Sequence, residues 1–182
     1  MQIAQANPQD ARAIAEIHVA TWRAAYASIL PADYLASLSV ESREAMWSEC
    51  IASGTSQLLV AKDNGLVKGW LSFGACRDEG APASEAEVWA LYVSPESWST
   101  GTGCTLWLEA KSRMLQQQFT SCSLWVFPQN VRAIKFYEAA GLVRDPSPPK
   151  SFKLGGIRLQ MVRYACQLDD SSFKRPHLRR SA

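Results

Sequence analysis

The stretch Glu87-Val88-Trp89-Ala90-Leu91-Tyr92-Val93-Ser94-Pro95, followed closely by Trp98-Ser99-Thr100-Gly101-Thr102-Gly103-Cys104, decides how this 182-residue chain is read. The first part reads as a strand ending in a turn. The second feeds a helix N-terminus and an apolar helical stretch. Gly101 and Gly103 carry no Cβ atoms that would hold an anion away from the backbone. The N–H groups of a first helical turn have no partner within the helix, and the helix dipole favours negative charge at that end. A phosphate or pyrophosphate is the natural occupant. Two glycines also occur in turns that merely enter a helix, so the motif is weighed with its neighbours. Two familiar phosphate motifs are excluded. No G-x-x-x-x-G-K-[ST] is present, and Leu106 stands where a dinucleotide fingerprint needs its third glycine.

Leu124-Trp125-Val126 reads as a short buried strand. It leads through Phe127-Pro128-Gln129 to Asn130 and then to a helix over 131–140. Asn130 suits an N-cap, and Gly141 suits the left-handed position past the C-terminus. Asn130 and Tyr137 are seven residues apart, about two helical turns, and so project from nearly the same face. An extended ligand could lie between them.

The combination of L-Y-V-x-P (Leu91 to Pro95), W-x-x-G-x-G (Trp98 to Gly103) and N-x-x-A-x-x-F-Y-E-A-x-G (Asn130 to Gly141) resembles the GCN5-related N-acetyltransferases, the GNAT superfamily. The I-H-V-A-T-W-R-A-A-Y segment ending at Tyr26, with Leu30-Pro31 after it, is similar to small bacterial members. The similarity runs from near Ile3 to near Cys166. It implies an α/β single domain: a mixed, mostly antiparallel sheet, helices on both faces, and a splayed parallel strand pair forming the cofactor cleft. The domain is expected over 1–168, with a basic, mobile tail over 169–182.

The resemblance also implies roles. Acetyl-coenzyme A would lie in the cleft as co-substrate, with no metal. The backbone of Leu91, Tyr92 and Val93 would pair with the pantetheine amides. The N–H groups of Ser99, Thr100, Gly101, Thr102, Gly103 and Cys104 would hold the pyrophosphate. Asn130 would bond the pantetheine arm, and Tyr137 would be the general acid for the departing thiolate. The family's turn usually begins with Gln or Arg and often has a base before its first glycine, whereas Trp98 and Thr100 stand at those places. The lost charge leaves binding more dependent on backbone N–H groups, weaker by roughly 1 kcal/mol per lost charge-assisted bond.

A primary amine with a pKa of about 10 is mostly protonated at neutral pH, so a base must take its proton before attack on a thioester. In the family this chain resembles, a carboxylate on the cofactor strand often serves as that base, frequently through water. Glu87 is favoured, with Glu85 in reserve because strand side chains alternate and put it on the same face. Either could instead be a rim carboxylate that attracts a cationic substrate. The oxyanion would need a backbone donor, for which the Val93 N–H is expected. In the family this chain resembles, the first helices and the loop between them cover the substrate side, where Trp22, Tyr26 and Tyr34 lie. Trp22, Tyr26 and Glu85 are the candidate acceptor contacts, with the loop around Arg77-Asp78-Glu79 facing them. An aromatic, acidic pocket of that kind would suit a cationic amine. The bland reading of Trp22 and of the Phe136-Tyr137 pair is core packing.

Composition fits this reading. Apolar residues make up 47% and charged residues 20%, as in ordinary globular domains. A net charge of +2 argues against a broad nucleic-acid surface. The five cysteines lack C-x-x-C spacing, which suggests neither disulfide framework nor zinc site and fits a reducing, cytoplasmic setting. Cys104 reads as a small packing residue and His18 as structural. The N-terminus lacks a signal-peptide pattern, and no stretch approaches the roughly 18 apolar residues of a membrane span. The periodicities place a strand at Ile3–Ala6, a helix from Asn7-Pro8 to Ala25, helices at 31–38 and 39–51, and a hairpin around Asp63-Asn64-Gly65. After them come the Arg77–Ser84 loop, the cofactor strand, a helix to about Gln118, a strand at 121–127, the 131–140 helix, a Pro-rich loop over 145–150 and a strand at 157–166. This order suits a mixed α/β sheet.

The leading expectation is direct acetyl transfer to a small primary amine such as an amino acid, a polyamine or an amine-bearing antibiotic. The alternatives are transfer to a protein or peptide amine, a catalytically silent acyl-coenzyme A-binding module, and an unrelated nucleotide-binding domain. Neither nucleic acid nor membrane is an expected partner, and a homodimer is left open.

Overall fold

Asn64 and Gly65 both take positive φ, 48° and 81°, as a two-residue hairpin turn requires, and they join β2 (Gln57–Asp63) to β3 (Leu66–Ala75). Along this hairpin the apolar side chains go both ways. Leu59, Ala61, Leu71 and Phe73 pack on Leu106, Trp107, Ala110 and Met114 of α4 (Thr102–Gln116). Leu58, Val60 and Trp70 pack on Ile14, Ala15 and Ile17 of α1 (Ala11–Ala25) and on Trp47 of α3 (Val40–Ser53). A strand that is apolar on both faces must be covered on both, so the sheet lies between two helical layers. The computed structural model describes residues 1–169; the basic residues Lys174, Arg175, Arg179 and Arg180 of the expected tail lie outside the described residues.

The sheet also holds β1 (Gln2–Gln5), β4 (Glu85–Val93), β5 (Ser121–Val126), β6 (Val143–Arg144), β7 (Lys150–Leu154) and β8 (Ile157–Gln167). Its order is β1-β2-β3-β4-β5-β8-β6, with β7 paired to β8. Every pairing is antiparallel except β4 with β5. That parallel pairing covers only Glu85↔Ser121, Ala86↔Cys122 and Glu87↔Ser123. Beyond it β4 stays with β3 as far as Val93↔Gly69, and β5 stays with β8 as far as Val126↔Val162. The two strands therefore part in the middle of the sheet, as expected for a splayed pair.

A bulge sharpens the split. Ser72 pairs with Ala90 and Phe73 with Val88, so Trp89 is an extra residue in β4. Ala86, Val88, Leu91 and Val93 join the α4-side core, whereas Ala90 and Tyr92 join the α1-side core. The extra residue thus puts Glu85, Glu87, Ala90 and Tyr92 on one face although their spacing is not strictly even.

Two features hold the α1 layer over this split. Thr21 Oγ1 donates to the Val93 carbonyl at 3.1 Å. Arg23 reaches the carbonyls of Leu35, Ala36 and Leu38 at 2.9–3.2 Å, tying α1 to the end of α2 (Ala32–Ala36) and the turn that follows it. His18 is structural, as expected. Its buried Nδ1 accepts from Trp47 Nε1 at 3.2 Å, which fixes the neutral ring's proton on Nε2.

Among its elements the structure departs from the sequence reading in three places, one of them the short strand β6, which pairs with β8 at Ala165 and Tyr164. Residues 8–10 form a 3₁₀ turn capped by Asn7, and α1 proper begins at Ala11. After the Pro-rich loop β7 runs back along β8 through Gly155 and Gly156, whose φ values of 58° and 80° again mark a hairpin turn. Among the described residues no helix is long and apolar enough to cross a membrane.

Candidate active site

A cavity of about 1000 Å³ occupies the split and is lined from both helical layers. Ser97, Trp98, Ser99, Gly101, Gly103, Cys104 and Thr105 line it from the α4 side, and Asn130, Arg132 and Tyr137 line it from the cap and body of α5 (Val131–Ala139). Thr21, Trp22 and Tyr26 of α1, Arg77, and Lys150, Phe152 and Leu154 of β7 line it as well.

At one end the turn before α4 carries two left-handed residues, Ser99 (φ 63°) and Gly101 (φ 92°). Gly101 is the N-cap of α4 and no side chain caps that terminus, so its first-turn N–H groups are available to an anion. At the second glycine, a Cβ on Gly103 would stand 3.4 Å from the Phe136 ring of α5, an ordinary contact, so packing alone does not require glycine there. The Thr100 and Thr102 hydroxyls bond to each other at 2.9 Å, and neither side chain lines the cavity, which leaves those residues only their backbones to contribute. Cys104 does line it.

Trp98 donates from Nε1 to the Val93 carbonyl at 2.8 Å, and the Arg132 guanidinium lies 3.9 Å from the Trp98 ring centroid. The cation missing from the turn's own sequence is thus present in space, brought by the first turn of α5. Sequence reading overlooked Arg132. Its signal was its place two residues after the N-cap Asn130, on a helix whose start faces the same split.

The β4 edge is open where β5 leaves it. Ser94 donates its N–H to Lys68 O at 2.9 Å, so alternation turns the backbone groups of Tyr92 towards β3 and those of Leu91 and Val93 towards the gap. Tyr92 meets the cavity through its side chain instead. The Val93 carbonyl is taken by Thr21 and Trp98, while its N–H lies on the gap side.

Asn130 caps α5 through Oδ1, which accepts from Ala133 N at 3.2 Å and leaves its NH₂ for other contacts. Tyr137 stands farther along α5, its ring 5.5 Å from that of Phe136 in a T-shaped contact. Desolvation, reinforced by Tyr92 and Cys122, pushes its phenol well above the ordinary value and keeps it protonated. Tyr26 packs edge-on against Trp22 and Phe127, both at 5.2 Å, and burial raises its phenol too. Trp22 is half-buried and is both packing and lining.

The carboxylates are where sequence and structure differ most. Glu87 lines the cavity but is nearly buried. Its Oε1 accepts from Arg77 Nη2 at 2.6 Å, and its Oε2 accepts from Arg77 N at 2.9 Å and Nε at 3.2 Å. A carboxylate has about four lone-pair sites, so one on Oε1 remains. Glu85 does not line the cavity; Arg163 holds it, together with Asp78 and Asp145. Lys150 also binds Asp78, and Trp125 Nε1 donates to the same carboxylate at 3.2 Å. The expected acidic pocket is therefore a set of paired carboxylates. The Cys76, Asp78 and Glu87 ligand atoms lie within 4.8 Å of one another, but the two carboxylates already face guanidinium and ammonium groups, a poor setting for a metal ion.

Comparison with known proteins agrees with the motif reading. Residues 13–142 match the Acetyltransferase (GNAT) family, and the chain belongs to that family. It is an acyltransferase of the N-acetyltransferase class. It is 34% identical over 161 residues to the uncharacterized N-acetyltransferase YuaI of Bacillus subtilis, a match covering 88% of this chain and 89% of that protein. It is 27% identical over 157 residues to spermidine N(1)-acetyltransferase of Thermoplasma acidophilum, covering 84% and 94%. The fold superposes on PaiA N-acetyltransferase of Thermoplasma acidophilum, solved in complex with coenzyme A, with a TM-score of 0.70 at 21% identity, covering 89% of this chain and 96% of that one.

Proposed function

We propose that this enzyme moves an acetyl group from acetyl-coenzyme A directly to a primary amine of a small molecule. The observation that carries this reading is the cavity through the split sheet, which joins an uncapped helix N-terminus to Tyr137 and to Glu87. The coenzyme A complex of PaiA supports the choice of donor. The five free cysteines support a reducing, cytoplasmic setting.

In this reading the pyrophosphate lies on the N–H groups before and within the first turn of α4, with Arg132 beside it. The pantetheine arm runs along the open β4 edge, pairs with the Leu91 backbone and meets the Asn130 amide. The amine reaches the thioester from the α1 and β7 side. Its proton passes to the remaining lone pair of Glu87, directly or through water. The nitrogen lone pair then attacks the thioester carbon, and the Val93 N–H holds the oxyanion. The C–S bond breaks as the intermediate collapses, and Tyr137 gives its proton to the departing thiolate. The second proton of the nitrogen passes to the tyrosinate, directly or through water, which restores the phenol and leaves a neutral amide.

One observation favours a second reading. The three hydrogen bonds from Arg77 occupy most of Glu87, as suits a silent acyl-coenzyme A-binding module whose carboxylate is structural. Thiol release from acetyl-coenzyme A across a panel of amines, with calorimetric binding in parallel, decides between them. Turnover establishes the transferase; tight binding without any turnover establishes the module. Absence of coenzyme A binding overturns both.

A further inference from the structure

The acceptor side of the cavity presents its charge with the positive ends outward. Among the described residues, four charged ones line the cavity: Arg77, Arg132, Lys150 and the carboxylate Glu87. Arg132 belongs to the phosphate end through its place on Trp98. That leaves two cations and one carboxylate around the acceptor. In each ion pair there the cation is the exposed partner: Arg77 is 58% exposed over a Glu87 that is 4% exposed, and Lys150 is 47% exposed over an Asp78 that is 18% exposed. Both cations rest on indoles that line the same cavity, Arg77 4.6 Å from the Trp89 centroid and Lys150 4.2 Å from that of Trp125. The two pairs are adjacent, since ligand atoms of Glu87 and Asp78 lie within 4.8 Å of each other.

A polycation needs carboxylates that can turn towards it. The cluster does hold one more carboxylate than cations, with Glu85, Glu87, Asp78 and Asp145 against Arg77, Lys150 and Arg163. The excess sits behind Arg163, which is itself only 13% exposed and bonded to three of the four. A second ammonium entering the cavity would meet Arg77 and Lys150 first. A carboxylate would find a guanidinium and an ammonium side by side, each fixed by an acid below it and a ring beneath it.

We infer that the acceptor is an amine that also carries an anionic group, of the amino-acid type, and not a polyamine. This rests on the acetyl-transfer reading and names the substrate class for it. The ammonium end is directed to the thioester beside Glu87, and the anionic end lies at Arg77 and Lys150. Phe152, Leu154 and Met161 receive the apolar part of the molecule.

The test is a comparison of kcat/KM at saturating acetyl-coenzyme A for free amino acids, the same amines with the acid amidated or removed, spermidine and spermine, and peptides whose carboxylate is remote from the amine. The acid-bearing amines are expected to exceed their acid-free counterparts by about tenfold or more. In Lys150→Gln that margin is expected to collapse through KM, with kcat little changed. Calorimetry with acetyl-coenzyme A on the same variant checks that its fold and cofactor site persist. Equal or better turnover of spermidine, of an acid-free amine or of a peptide overturns the inference and leaves acetyl transfer standing. A Lys150→Gln variant that keeps the full margin overturns it too. Coenzyme A binding without turnover of any amine overturns both.

Discussion

The Arg132 guanidinium lies 3.9 Å from the centre of the Trp98 indole, and that same indole donates to the Val93 carbonyl at 2.8 Å. One aromatic ring thus links a cation on α5 to the open edge of β4. The turn before α4 has no base of its own, so among the described residues this stacked cation is the one placed to meet a pyrophosphate. Arg132→Ala is expected to weaken coenzyme A binding about tenfold, the loss of one charge-assisted contact of roughly 1.5 kcal/mol. Calorimetry at two ionic strengths checks it, because the variant's affinity should also depend less on salt.

Tyr137→Phe removes the proton and keeps the ring. Turnover is expected to fall about 100-fold or more, with coenzyme A affinity nearly unchanged. The phenol is raised well above its ordinary value by burial, so it stays protonated throughout an ordinary assay range. The wild-type pH profile should therefore rise as the amine deprotonates and show no falling limb from Tyr137 up to about pH 10. Unchanged turnover in the variant removes Tyr137 from the acid role.

His18 makes stability depend on acid. It is enclosed by Trp22, Trp47, Trp70 and Tyr92, with Arg43 the charged neighbour, and burial followed by Arg43 lowers its pKa from 6.5 to about 3. Between those values the unfolded chain holds a proton that the folded chain does not. Stability is therefore full above about pH 6.5 and lost as pH falls towards 3, by up to about 1.4 kcal/mol per pH unit. Urea midpoints from pH 7 to pH 4 should follow that slope. His18→Gln should be less stable at pH 7, because it disturbs the Trp47 contact, and should show a flatter pH dependence.

Gly74 lies under the bulge. A Cβ there would stand 2.7 Å from the Trp89 ring, on whose indole Arg77 rests. Gly74→Ala should cost about 1–3 kcal/mol of stability through overpacking and raise the acceptor KM more than that of acetyl-coenzyme A. Thermal melts and two-substrate kinetics separate these effects.

Much of this was legible in the chain. Asn64-Gly65, Asn130 and the Gly101-x-Gly103 turn act through local backbone chemistry, and each does locally what its residue type requires. Other features depend on partners distant in sequence. Arg77 and Glu87 are ten residues apart, and no local pattern tells whether a glutamate on a strand will meet a guanidinium returning from the preceding loop. The same holds for Arg163 and Glu85, 78 residues apart, whose pairing withdraws Glu85 from the cavity. The bulge at Trp89 left no turn residue to mark it; its trace was Gly74, on the neighbouring strand. The strand β7 was hidden by the prolines before it, although Gly155-Gly156 carried the hairpin signal.

Because β4 and β5 are zipped at only three positions, the sheet has an unpaired edge in its interior. The halves β1–β4 and β5–β8 are two plates joined along a short seam. A cofactor whose amides pair with the Leu91 backbone would act as a missing rung between them, so its affinity would also be cohesion of the fold. Amide exchange along β4 past Glu87 should slow on loading with coenzyme A, and the plates should come to melt as one body.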